Sequence, residues 1–152
     1  MTAQNTENYI RLEFFSLPEN VALARVLIAS LVAQLDITLN DLEEIKVAVS
    51  EAVSNAIIHG YQNKTDGLVI VEAKIKGGML EIIINDSGIG IEDIEKAMAP
   101  TYSTDPDRMG LGFVFMKSFM DNVQVFSEVN KGTKVILQKM VNENGSCARL
   151  AN

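Results

Sequence analysis

The stretch Asp86-Ser87-Gly88-Ile89-Gly90, which follows the apolar run at residues 79–84, is the most informative part of this 152-residue chain. It places one carboxylate and two glycines at the end of a predicted buried strand. Glycine adopts backbone angles closed to other residues and lets another group approach the main chain. A fixed carboxylate beside such a turn can accept a hydrogen bond from an amine, for instance that of adenine. The motif alone is weak evidence, because Asp and Gly also build ordinary turns.

The periodicity of apolar residues predicts the other elements on both sides of this stretch. Strands are expected at residues 9–15, 68–76, 79–85, 123–127 and 133–139, with a hairpin around Gly77-Gly78. Helices are expected from a capping box at Ser16 and Glu19 to about residue 35, from Thr38 to near Gly60, at 91–98 and at 113–120. A long loop is expected at residues 99–112.

This order of elements predicts one sheet with helices packed on one face, an α+β two-layer sandwich. Strands joined by hairpins make the sheet mixed but mostly antiparallel. The length fits one domain, which we assign to residues 1–140, and residues 141–152 form a polar tail that is expected to be disordered.

The charge balance disfavours one class of function. Thirteen basic and 20 acidic residues give a net charge of −7, which disfavours direct binding to nucleic acid. The single Cys147 cannot form an internal disulfide, and no apolar run is long enough to span a membrane or serve as a signal core. We therefore expect a soluble cytoplasmic protein.

The second predicted helix carries a polar stripe that is bordered by apolar residues. Glu51 and Asn55 lie four residues apart and project from the same side. A solvated helix face would explain this pattern as well. In a functional interpretation, the Asn amide oxygen suits Mg²⁺, and the Glu carboxylate takes a proton from an attacking hydroxyl. His59 is interpreted as a helix-end residue beside Gly60.

A second glycine pair, Gly110-Leu111-Gly112, precedes the last predicted helix. Free N–H groups at a helix N-terminus form a phosphate cradle, to which Arg108 would add a positive charge. The segment is neither a Walker loop nor a dinucleotide fingerprint. Further along the chain, Gly132-Thr133 is interpreted as a hairpin turn. The Thr133 side chain could also contact a base or an ordered water.

Taken in this order, the motifs resemble those of the GHKL superfamily of Bergerat-fold ATP-binding domains. The N box is Glu51-x-x-x-Asn55, the G1 box Asp86-x-Gly88-x-Gly90 and the G2 box Gly110-x-Gly112, and they are followed by Gly132-Thr133. Residues 49–61, 119–121 and 127–133 further resemble the anti-sigma factor serine kinases, above all their sporulation members. This resemblance covers roughly residues 9–139.

The resemblance implies a homodimeric protein kinase that uses ATP with Mg²⁺, releases ADP, and phosphorylates a serine on an anti-anti-sigma factor. It also implies binding and inhibition of a sporulation sigma factor of the sigma F type. Glu51 would be the general base, Asn55 the Mg²⁺ ligand and Asp86 the adenine contact. Other implied nucleotide contacts are Gly88, Gly90, Thr104, Arg108, Gly110, Leu111, Gly112, Phe113 and Thr133.

Arg25 and Asp105 also bear on this resemblance. Arg25 aligns with a residue implicated in sigma contact, although an exposed helical Arg would look the same. Asp105 stands where related chains more usually have Lys, which leaves the contacts between the loop and phosphate open.

Three alternatives are retained. One is the general stress-response branch of the same kinases, which acts on another sigma factor. Another is a histidine kinase core, which is disfavoured because the chain is short and its only His lies at a helix end. The third is a nucleotide-sensing module without transfer activity, which has no need for a base such as Glu51.

Overall fold

Five strands form one antiparallel sheet in the computed structural model, which describes residues 7–99 and 109–141. They are β1 (Asn8–Phe15), β2 (Leu68–Lys76), β3 (Met79–Asp86), β4 (Asn122–Glu128) and β5 (Gly132–Met140). Their order in the sheet is β1-β2-β3-β5-β4, and each of these pairings is antiparallel. The register pairs Asp86, the last residue of β3, with Thr133 of β5.

Helices cover one face of this sheet. They are α1 (Asn20–Val32), α2 (Leu39–Asn55), α3 (Ile94–Met98) and α4 (Met109–Phe119), and a π-helical turn (Ala56–Gly60) continues α2. Helix α2 packs between α1 and α4. The predicted α+β two-layer sandwich is confirmed.

The core lies between the two layers, because alternate strand residues point toward the helices. On β3, Leu80, Ile82 and Ile84 are buried, while the residues between them are partly exposed. Ile45 and Val49 of α2 supply part of the facing helical stripe and are fully buried. This packing holds the C-terminal end of α2 over the end of β3.

The start of α2 agrees with the prediction from its sequence. Thr38 is the N-cap, and its hydroxyl accepts a hydrogen bond from the Asp41 N–H at 3.0 Å. At the same end of the helix, the buried Lys139 of β5 places its Nζ 3.2 Å from Glu44 Oε2. The Lys139 Nζ also donates to the Phe119 carbonyl at 2.5 Å, which joins β5 to the C-terminal end of α4.

The predicted capping box of the first helix is wrong. Glu19 is the N-cap and makes no side-chain capping bond, and α1 ends at Val32, before residue 35. The Ser16 hydroxyl instead donates to the Lys64 carbonyl at 2.5 Å and accepts from the Gly67 N–H at 3.0 Å. Ser16 therefore stabilises the loop before β2 and does not cap α1.

Helix α4 begins earlier than predicted, at Met109 instead of residue 113, so Gly110 and Gly112 lie in its first turn. The predicted loop contacts Thr104, Asp105 and Arg108 lie outside the described residues, as do Cys147 and the tail from residue 142. Over the part of the chain that the structure describes, no helix is both long and apolar enough to cross a membrane.

Candidate functional site

A cavity of about 330 Å³ opens where the end of α2, the ends of β3 and β5 and the start of α4 meet. Its polar lining includes Asn55, His59, Asp86 and Thr133, and its apolar lining includes Ile84, Ile89, Ile91, Phe113 and Val135. A mixed lining with a few convergent polar groups is typical of small-molecule sites. Residues from three of the four predicted motifs line this one cavity, and Gly112 of the fourth lies against Asn55 at its edge.

Glu51 and Asn55 converge on Gly112. A Cβ atom added at Gly112 would lie 3.0 Å from Glu51 Oε2 and 3.2 Å from Asn55 Nδ2. Any larger residue at this position would push against both side chains, so Gly allows the close approach of α4 to α2. The spacing of four residues on α2 thus directs both polar groups at the first turn of α4, where backbone N–H groups lack partners within the helix.

Burial at this end of α2 is costly in the absence of a ligand. It raises the pKa of Glu51, because a carboxylate loses solvation there. The Asn55 Nδ2 atom is buried and has no hydrogen-bond partner among the described residues. An unsatisfied buried donor costs about 1–3 kcal/mol, so such groups usually serve a ligand or a water.

Asp86 lines the same cavity from the end of β3. Burial raises the pKa of its carboxyl, although the Gly88 and Thr133 N–H groups donate to the carboxylate and partly offset the shift. The Gly88 N–H lies 2.9 Å from Asp86 Oδ1. A Cβ at Gly60 would come within 2.8 Å of the same oxygen, so the π-helical turn leaves room for the carboxylate.

The loop after β3 packs directly on the π-helical turn. A Cβ at Gly88 would lie 2.0 Å from the Gly60 carbonyl oxygen, which excludes every other residue at this position. The Ile89 N–H donates to that carbonyl at 2.9 Å, and the Ile89 carbonyl accepts from Asn130 N–H at 2.7 Å. Gly90 follows and lines the cavity. The G1 loop is thus held on two sides.

The remaining predicted residues that the structure describes lie on α4 and on α1. Phe113 is buried in the cavity wall, and Leu111 is half-buried in the first turn of α4. Arg25 lies apart from the cavity on α1, where its Nη1 donates to Ser50 Oγ at 3.4 Å. Ser50 directly precedes Glu51 in α2, so Arg25 contacts the helix next to the proposed base.

Sequence reasoning missed the role of Gly60 and Tyr61. The Tyr61 hydroxyl donates to the Leu68 carbonyl at 2.5 Å and accepts from the Ser87 N–H at 2.7 Å, which anchors the loop beside Asp86. A Gly-Tyr pair directly after the polar stripe of α2 was the available signal. Without knowledge of the hydrogen bond between the Tyr61 hydroxyl and the Ser87 N–H, this Gly-Tyr pair indicates only the end of a helix.

Comparison with known proteins agrees with this geometry. Residues 14–139 match the family model of the histidine kinase-like ATPase domain. The anti-sigma F factor of Clostridium kluyveri is 51% identical over 138 residues, which cover 90% of this chain and 96% of that protein. The anti-sigma F factor of Clostridium acetobutylicum is 53% identical over 135 residues, which cover 88% and 94%.

A solved structure supports the fold alone. The RsbU and RsbW domains of a Mycobacterium tuberculosis protein superpose with a TM-score of 0.65 at 18% identity, covering 88% of this chain and 32% of that chain.

Proposed function

The chain belongs to the histidine kinase-like ATPase domain family and, within it, to the anti-sigma F factors, and on that basis we propose that it is an ATP-dependent protein serine kinase that inhibits a sporulation sigma factor. The phosphoryl acceptor would be a serine on an anti-anti-sigma protein. The observation that supports transfer chemistry is the convergence of Glu51 and Asn55 on Gly112, beside a cavity that Asp86 also lines. A module that only binds nucleotide has no use for a half-buried carboxylate beside the predicted phosphate-binding turn of α4.

The donor set fits a nucleotide with one Mg²⁺. The Asn55 Nδ2, which has no partner within residues 7–99 and 109–141, would donate to a phosphate oxygen, while the amide oxygen of the same side chain suits a cation. Over the same residues, no three His, Cys, Asp or Glu side chains cluster into a metal cage. Mg²⁺ suits such a sparse set, because it keeps several waters and takes phosphate oxygens as ligands. Asn55 Oδ1 would hold the ion, which when bound neutralises charge on the phosphates.

Glu51 would carry the proton chemistry. The serine Oγ attacks the γ-phosphorus, the bond from phosphorus to the bridging oxygen breaks, and ADP leaves with that oxygen. The proton of the serine hydroxyl moves to the Glu51 carboxylate. Burial raises the pKa of Glu51 toward the range in which a general base works best near neutral pH.

Other residues would bind and orient the nucleotide. The Asp86 carboxylate accepts from the adenine amine, and the N–H groups of Gly110, Leu111 and Gly112 at the start of α4 hold phosphate oxygens. Arg108 and Thr104 remain predicted phosphate contacts. Most of the rate acceleration comes from this positioning, as in other phosphoryl transfers.

A transfer assay tests this proposal. Glu51→Gln is expected to lose about 10²–10⁴-fold in the rate of phosphate transfer from labelled ATP to a serine-containing anti-anti-sigma protein, with nearly unchanged ATP affinity. Glu43→Gln is the matched control, because Glu43 lies on the exposed side of α2 and pairs with Lys46. Full transfer by Glu51→Gln would remove Glu51 from the mechanism. ATP binding by the wild type without any transfer would favour the nucleotide-sensing module.

Two further proposals concern protein partners: a sigma factor that contacts Arg25, and a second copy of this chain in a homodimer. Arg25 would contact the sigma factor, and its bond to Ser50 links that contact to the turn of α2 that holds Glu51. Arg25→Ala should weaken sigma binding and leave ATP affinity unchanged, as measured by isothermal titration of each ligand. Analytical ultracentrifugation tests the proposed homodimer, and a monomer at micromolar concentration would contradict it.

A further inference from the structure

Ser127 in β4 joins two walls of the cavity without lining it. Its Oγ accepts from the Ile91 N–H at 2.7 Å, lies 2.8 Å from Thr133 Oγ1 and lies 3.1 Å from the Gly132 carbonyl oxygen. Ile91 and Thr133 both line the cavity, one from the loop after β3 and the other from β5. One hydroxyl therefore sets the positions of two groups that a ligand would meet.

Only one arrangement of protons makes all three contacts hydrogen bonds. A hydroxyl has one proton and two lone pairs, and the Gly132 carbonyl can only accept. Ser127 therefore donates to Gly132, and its lone pairs receive the Ile91 N–H and the Thr133 hydroxyl proton. With its proton used in this way, Thr133 Oγ1 offers only lone pairs to the cavity.

This arrangement determines which groups of a ligand can be bound beside Asp86. The Asp86 carboxylate accepts from the Gly88 N–H at 2.9 Å and has no donor of its own when ionised. Asp86 and Thr133 are neighbours across the β3–β5 ladder, so two acceptors face the cavity side by side. A ligand must bring a donor to this place, and an oxygen there would be repelled.

We propose that Ser127 is a positioning residue that fixes the Thr133 hydroxyl as an acceptor, and so sets the preference of the cavity for 6-amino over 6-oxo purine nucleotides. The inference rests on the proposed function, because it requires the purine to lie beside Asp86. Without the Ser127 hydroxyl, Thr133 is free to rotate and donate to a 6-oxo group.

The ratio of ATP to ITP affinity tests this role. In Ser127→Ala this ratio is expected to fall about five- to tenfold, the value of one hydrogen bond. Ser127→Thr keeps the hydroxyl and should restore the ratio to within about twofold of the wild type. In a Thr133→Val background, Ser127→Ala should leave the ratio unchanged, because the group through which it acts is missing.

Ser16→Ala is the matched control for a purely structural effect. Ser16 is fully buried, and its hydroxyl also joins two backbone groups of a loop, those of Lys64 and Gly67. Both Ala variants should lower Tm, but only Ser127→Ala should change the selectivity. An equal change of the ratio in Ser16→Ala would overturn the inference.

Other results of the same measurement would overturn the role of Ser127. A Ser127→Ala protein that folds, with an ATP to ITP ratio like that of the wild type, overturns the inference. If that variant does not fold, Ser127→Cys replaces it, since a thiol has a similar shape but forms weaker hydrogen bonds. An ATP to ITP ratio like that of the wild type in Ser127→Cys also overturns the inference. A wild type that binds ATP and ITP equally overturns the inference alone, whereas a wild type that binds neither overturns the proposed function.

Discussion

The two ends of α2 differ in whether their charged side chains form ion pairs within the fold. At the N-terminal end, the Lys139 Nζ lies 3.2 Å from Glu44 Oε2, 3.9 Å from Asp41 Oδ1 and within hydrogen-bond distance of the Phe119 carbonyl. Over residues 7–99 and 109–141, the partners of this cation belong to α2 or to the end of α4. The cluster therefore fixes both helices to β5 and needs no ligand.

At the C-terminal end, the polar groups are not paired in this way. Neither Glu51 nor Asp86 forms an ion pair within residues 7–99 and 109–141, and burial raises the pKa of both. Asn55 Nδ2 has no partner over the same residues. One end of the helix therefore contributes stability, while the other retains groups whose burial costs stability and which a ligand can satisfy.

The largest effect on stability is expected at the paired end. Lys139→Met should lower the free energy of unfolding by about 3–5 kcal/mol, because it leaves two carboxylates without their cation. Denaturant unfolding measures this change. Adding Asp41→Asn and Glu44→Gln should recover most of the loss. Lys46→Met, which breaks only the exposed pair with Glu43, should cost less than about 1 kcal/mol. A similarly small loss in Lys139→Met would contradict the comparison.

The next largest effect is expected at the unpaired end and concerns binding. Asp86→Asn replaces an acceptor by a group that can also donate, and should weaken ATP binding about 10–100-fold with a much smaller effect on Tm. Asp93→Asn is the control, since Asp93 caps α3 by accepting from Lys96 N–H and Asn is an equally good cap. Unchanged ATP affinity in Asp86→Asn would show that the adenine does not bind there.

Sequence patterns were sufficient for the parts of the molecule that depend on local periodicity. The hairpin of β2 and β3 follows from two alternating runs around Gly77-Gly78, and the start of α2 follows from Thr38 and Asp41. The shared direction of Glu51 and Asn55 follows from helical geometry. These predictions succeed because each uses residues that are close in the chain.

Contacts between distant segments could not be predicted in the same way. The Ser16 hydroxyl has a typical capping spacing to Glu19, yet it bonds to Lys64 and Gly67, about fifty residues away in the chain. The π-helical turn at Ala56–Gly60 has no sequence pattern of its own, and it becomes intelligible only once Gly88 is seen against the Gly60 carbonyl. The network of Ser127 likewise depends on the pairing of β4 with β5.

Gly112→Ala is expected to change the rate of phosphate transfer without lowering the stability of the fold. A methyl group would lie 3.0 Å from Glu51 Oε2, close enough to displace this flexible side chain but not the backbone. We expect about a tenfold loss of transfer rate, because small displacements of a base are costly. Tm should stay the same or rise, since Ala is favoured over Gly inside a helix. A large fall in Tm would show that the close approach of α4 to α2 cannot be kept by displacement of the Glu51 side chain alone.

The smallest expected effect is a dependence of stability on pH that originates at Glu51. Because the pKa of Glu51 is raised in the folded state, the native protein keeps this proton at pH values where the unfolded chain has lost it. Stability from this group is therefore complete below its ordinary value near 4.5 and is lost as the pH rises through the raised value. Glu51→Gln has no such proton, so its Tm relative to the wild type should increase from pH 4 to pH 7.5, measured without nucleotide. Glu43→Gln, on the exposed side of the same helix, should show no such trend. A difference in Tm that is the same at both pH values would mean that burial of Glu51 does not destabilise the nucleotide-free protein.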